Sequence, residues 1–163
     1  MLSPHVRFAL AVLVALASVS PLAAQDTRGS LVPDTLVDKF DGTKADVQDL
    51  AVGDELWTLG TDGKVVVGLV TAVRRQHADS YVQIKVGSLL AEATGSHRIA
   101  VPGGKFVRFD ALKVGDPVLV WGPKGPEEKA ITSIRQYPAN LIAYDLTVEG
   151  HRAFRVNGIL LAD

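Results

Sequence analysis

The chain has 163 residues, a formal net charge of −1 and no cysteine. That length suits one ordinary domain, and the balanced charge offers no basic field for nucleic acid or an anionic membrane. The absence of thiols excludes a disulfide framework, thiolate metal sites and a cysteine nucleophile; with only four histidines and no dense carboxylate cluster, neither a metal centre nor a cofactor is expected.

Taken in order, the chain opens on a targeting pattern. His5 and Arg7 form a short polar, basic region. Phe8 to Ala17 is unbroken apolar sequence, and Ser18 to Ala24 supplies small residues, a proline and a cut site after Ala24. This predicts a signal peptide over 1–24, because the apolar run is short for a membrane span. The mature chain is expected to begin near Gln25, exported to the periplasm or secreted, and off the membrane once the signal is removed. Residues 25–29 are polar, include Gly29 and read as a short linker.

From Leu31 onward, short runs of Val, Leu and Ile alternate with turn signals. Val65 to Val67 with Leu69 to Val73, Val82 to Val86, Arg98 to Val101, Val118 to Trp121, Ile131 to Ile134 and Tyr144 to Val148 are predicted strands. Thr61-Asp62-Gly63, Pro102-Gly103-Gly104 and Gly122 to Pro126 are predicted turns. Tyr81 to Val86 places an apolar residue at every second position, the period of a half-buried strand. Single helical turns are expected only near Val47 to Leu50 and Asp110 to Leu112. His77, beside Arg74, Arg75 and Asp79, reads as a solvated turn. The fold class is therefore all-β.

The chain also repeats itself. Leu50-Ala51-Val52-Gly53-Asp54 returns as Leu112-Lys113-Val114-Gly115-Asp116. At the same spacing Gly60 falls on Gly122, Gly63 on Gly125, Ile84 on Leu146 and Val86 on Val148. Matched glycines mark turns that need unusual backbone angles, and two copies point to a duplicated, pseudo-twofold β fold rather than a solenoid. Asp54 and Asp116 are expected to bond the turn backbone, and Trp57 and Trp121 to serve as core residues. Between the copies lies a polar turn, Thr94-Gly95-Ser96-His97, with a histidine three residues after a threonine.

Asp49 to Asp54, Thr94 to His97 and Tyr144 to His151 together resemble the hedgehog/intein (Hint) family, including intein-like and polymorphic-toxin-type members. Phe154 to Leu161 is similar to that family's last strands. The resemblance covers residues 30–163. It implies a horseshoe-like fold of duplicated β subdomains that breaks the peptide bond at its own N-terminal edge. Ser30 matches the family's nucleophile, with Gly29 on the acyl side, so the substrate is the chain's own backbone, with no external partner identified. His97 matches the residue that protonates the amide nitrogen, and Thr94 the residue that helps hold the scissile bond. Asp145 matches an aspartate near the nucleophile. His151 matches a histidine that assists a terminal asparagine. Here Ala162-Asp163 stands where the family has His-Asn. The resemblance therefore implies N-terminal cleavage through an N–O acyl shift at most, without splicing. The alternative is a degenerate, non-catalytic Hint domain that serves as an exported binding or structural module. A weaker alternative is a piece of a toxin-delivery system.

Overall fold

The computed structural model describes residues 28–149 and 153–162. The signal-peptide region and His151 lie outside them. The described chain is built of twelve strands in one sheet system. They are β1 (Leu36–Asp38), β2 (Lys44–Asp46), β3 (Glu55–Leu59), β4 (Val65–Val86), β5 (Leu89–Ala93), β6 (Arg98–Val101), β7 (Lys105–Arg108), β8 (Pro117–Gly122), β9 (Gly125–Ala130), β10 (Ser133–Glu149), β11 (Ala153–Val156) and β12 (Ile159–Leu161). Two single 3-10 turns, Val47–Asp49 and Phe109–Ala111, fall where helical turns were expected.

Two long strands organise the rest. β4 pairs with β3 through its first residues and, on one edge, with β5 through its last, while β10 pairs antiparallel with it from Leu69 to Lys85. The sequence reading split β4 at Arg74 to Tyr81 and placed His77 in a turn. The structure corrects this. The segment continues as strand because β10 satisfies its backbone, with Arg74 opposite Asp145, Arg75 opposite Tyr144 and His77 opposite Ile142. Its charged side chains simply face outward. His77 lies on the exposed side, with Nε2 2.8 Å from Asn140 Oδ1. β10 likewise joins two predicted strands into one.

The duplication is carried by backbone bonds. Val47 N–H donates to Thr35 C=O at 2.9 Å, and Phe109 N–H donates to His97 C=O at 2.8 Å. Leu36 pairs with Asp46 in β1–β2, and Arg98 pairs with Arg108 in β6–β7. Gly53 and Gly115 take φ of 97° and 93°, the left-handed region open to glycine, and donate to Val70 and Ile131 carbonyls at 2.9 and 2.8 Å. Asp54 Oδ2 accepts from Ala51 N–H at 2.9 Å, and Asp116 Oδ2 from Lys113 N–H at 2.8 Å, as expected of both. The hairpin turn after Gly122 is one residue shorter than that after Gly60. Leu59 pairs with Val65 in the first copy, and Trp121 with Pro126 in the second.

The main core gathers Val37, Leu56, Ile84, Ile99, Phe109 and Phe154, all fully buried. Burial of such side chains contributes about 1.5–3 kcal/mol each. A smaller cluster holds Trp57, Ala100, Ala153 and Leu160. Trp57 and Trp121, which follow the two copies of the repeat phrase, meet edge to face at 4.6 Å. Arg155 lies 4.5 Å over the Trp57 ring and donates to Asp38 Oδ2 at 2.8 Å. Asp38 is buried, and Arg155 and the Lys44 ammonium, at 3.7 Å, pair with its carboxylate.

Candidate functional site

The site lies where the described chain enters the sheet. Leu31 bridges Ala93 on one side and Tyr144 on the other. Leu31 and Tyr144 exchange both backbone bonds at 2.8 Å. Continued by one residue, that antiparallel register sets Ser30 level with Asp145 in a non-hydrogen-bonded position. On the other side Thr94 N–H donates to Ser30 C=O at 2.8 Å. The return bond of a regular rung would run from Ser30 N–H to the Thr94 carbonyl. Instead Ser30 N–H donates to Thr94 Oγ1 at 2.9 Å, while the Thr94 carbonyl accepts from His97 N–H at 3.0 Å. The turn thus substitutes a side-chain hydroxyl for a main-chain acceptor at one amide, that of the Gly29–Ser30 bond.

Gly29 lies against the same turn. A Cβ on Gly29 would fall 1.9 Å from His97 Cα, so a side chain there requires the backbone to move. His97 is 4% exposed, and its ring packs edge-on against Phe109 at 5.7 Å and Phe154 at 6.3 Å. The apolar walls fix the ring and keep bulk water off it. The turn is also held from below. Phe109 N–H donates to His97 C=O at 2.8 Å and Asp110 N–H to Gly95 C=O at 3.0 Å. The Arg108 guanidinium, hydrogen-bonded to Asp110, holds that carboxyl below its ordinary value.

The far end of the described chain arrives at the same place. Leu161 pairs with Ile99, and Ala162 N–H donates to Arg98 C=O at 2.9 Å. Gly29 and Ala162 therefore both lie beside the turn that carries His97. Ser30, Thr94, His97 and Asp145 converge, with Ser30, His97 and Asp145 all buried. His151 lies outside the described residues. Among the described residues no group of three or more His, Asp or Glu is placed to hold a metal ion.

One residue of the site escaped the sequence reading. Gln76 Nε2 donates to Ser30 Oγ. The signal was present but broken: Gln76 has the same parity on β4 as buried Val70, Ala78, Val82 and Ile84. It is visible only once β4 is continuous. Beside it opens a cavity of about 210 Å³, lined in part by Arg28, Gln76, Asp79, Thr94 and Ser96.

No protein-family profile matches the chain, and no curated protein sequence matches it significantly. Solved structures do. A DnaB intein from Synechocystis sp. PCC 6803 superposes with a TM-score of 0.75 at 22% identity, covering 82% of this chain and 97% of the intein. A bacterial intein-like domain from Clostridium thermocellum gives 0.73 at 17% identity, covering 82% and 98%. The TvoVMA intein gives 0.73 at 20% identity, covering 82% and 96%. The sheet topology, the internal duplication and these superpositions agree: the chain has the Hint fold of inteins and the bacterial intein-like domain.

Proposed function

We propose that this is an autoprocessing Hint domain spanning 30–163, which cleaves its own Gly29–Ser30 bond once, in cis. Ser30 Oγ attacks the Gly29 carbonyl carbon, and its proton passes to the Asp145 carboxylate. His97 supplies a proton to the departing Ser30 nitrogen. The C–N bond breaks, an ester to Ser30 Oγ forms, and the Ser30 amine is freed. Water then cleaves the ester, returning the hydroxyl and leaving a carboxylate on Gly29. Amide resonance opposes the first step, so the amide nitrogen must be held and protonated. Acid–base help of this kind is worth about a hundred- to ten-thousand-fold.

The observation that carries this reading is the altered rung: a threonine hydroxyl on the Ser30 amide, with Gly29 pressed on the His97 backbone. A purely structural strand end would be served as well by a main-chain carbonyl. Splicing is not part of the proposal, because Ala162-Asp163 stands where a His-Asn pair is needed to release the other end. The reading includes export, with residues 1–24 acting as a signal peptide.

The test is a signal-less chain with a tag upstream of Gly29, followed by intact mass with and without hydroxylamine. Release of the tag is expected, accelerated by hydroxylamine acting on the ester and lost in both Ser30→Ala and His97→Ala. An unchanged mass under all conditions overturns the proposal and leaves a non-catalytic exported module.

A further inference from the structure

We propose that Gln76 is a positioning residue for this reaction: its side-chain amide holds the Ser30 oxygen in place and stabilises the negative charge that builds on it during attack. The inference rests on the self-cleavage reading and adds a component to it. Thr94 Oγ1 is committed to the Ser30 amide N–H, and Asp145 stands on the β10 side. Gln76 reaches the hydroxyl from β4, where it sits opposite Ala143.

The chemistry of the group decides its role. A primary amide neither carries charge nor titrates near neutrality, so Gln76 does not serve as the base. Its N–H is a donor, and a donor to an oxygen that is losing its proton gains strength as the charge develops. An alcohol needs such help more than a thiol, being barely ionised at neutral pH. Ser30 is fully buried, so water supplies little of this stabilisation. Gln76 also lines the cavity that Arg28, upstream of the scissile bond, helps to form.

Two readouts test the assignment. The native chain has no cysteine, so the thiol introduced by Ser30→Cys is the sole one, and its ultraviolet thiolate absorbance can be titrated with pH. The titration is run with His97→Ala added, which keeps the bond intact, and with circular dichroism to confirm folding. Adding Gln76→Leu is expected to raise the thiol pKa by about one unit, and Gln76→Glu, which keeps the size but places a negative charge there, by more. Coincident curves for all three overturn the proposal. In the tagged cleavage assay, Gln76→Leu is expected to slow the serine chain about ten- to a hundred-fold and the Ser30→Cys chain less, because a thiol ionises near 8.5 unaided. Equal losses in both backgrounds mean mere structural support and also overturn it. If no form of the chain releases its tag, the self-cleavage reading fails, and the titration alone decides whether Gln76 acts on the residue-30 nucleophile.

Discussion

The two halves of the molecule build one loop twice and use it differently. In the first half Val32-Pro33-Asp34-Thr35 leads into β1, and in the second Thr94-Gly95-Ser96-His97 leads into β6. The closing bonds correspond. Thr35 Oγ1 donates to Val32 C=O at 2.7 Å, and His97 N–H donates to Thr94 C=O at 3.0 Å. Thr35 C=O then receives Val47 N–H as His97 C=O receives Phe109 N–H. In the first copy, the Thr35 hydroxyl closes the turn by itself, and Val32 has no polar side chain to offer. In the second copy, the backbone closes the turn, which leaves the Thr94 hydroxyl for the Ser30 amide. Chemistry is available where the fold has already met its own hydrogen-bonding needs.

The sharpest way to break this comparison is to damage both turns. His97→Ala is expected to slow tag release at least a hundred-fold, within the range of acid–base catalysis. Thr35→Val, at the matching position, is expected to leave the rate within about two-fold while lowering stability by about 1 kcal/mol, the worth of one buried hydrogen bond. A time course of intact mass, with urea unfolding alongside, separates the two. Equal loss of rate would mean that both turns act only through folding.

The paired tryptophans give the next contrast. Trp57→Ala is expected to cost about 3 kcal/mol, because it opens a cavity and also removes the ring beneath Arg155. Trp121 is half-buried. Trp121→Ala is expected to cost about 2 kcal/mol or less. Urea denaturation followed by circular dichroism reads both, and a reversed order would remove Arg155 from the account.

The smallest effect concerns Asp54. The Ala51 N–H, helped by the Lys39 ammonium and opposed by burial, keeps its carboxyl below the ordinary 3.8. A lowered native pKa stabilises the fold above the unfolded-state value, and the contribution is lost as pH falls through the native value. Asp54→Ala is therefore expected to cost about 1 kcal/mol at neutral pH and progressively less below about pH 3.8. Thermal unfolding of variant and native chains across that range measures the gap. A gap that stays constant into strong acid would show that the carboxylate charge contributes nothing.

The sequence was legible where the signal was local. The two 3-10 turns and the aspartates that close the repeated loops rest on residues within one turn or on the repeat itself. So did Thr94 and His97, as a spaced pair in one loop. Short strands such as β1 and β2 carry three residues each and present too little alternation to be read. The middle of β4 was hidden because Arg74, Arg75, His77 and Asp79 look like loop. Their strand conformation depends on a partner, β10, that lies far along the chain.

What the sequence by itself determined was an all-β, duplicated chain with a polar turn between its halves and the family resemblance that follows from those phrases. Only the tertiary structure decided that Ser30 meets Thr94 through its amide, that Gly29 lies on the His97 backbone, that Ala162 arrives beside Arg98, and that Gln76 bonds the Ser30 hydroxyl. Periodicity and turn chemistry act within a few residues and are written in order along the chain. The site is assembled from rungs between distant strands, and those exist only once β4 and β10 have paired.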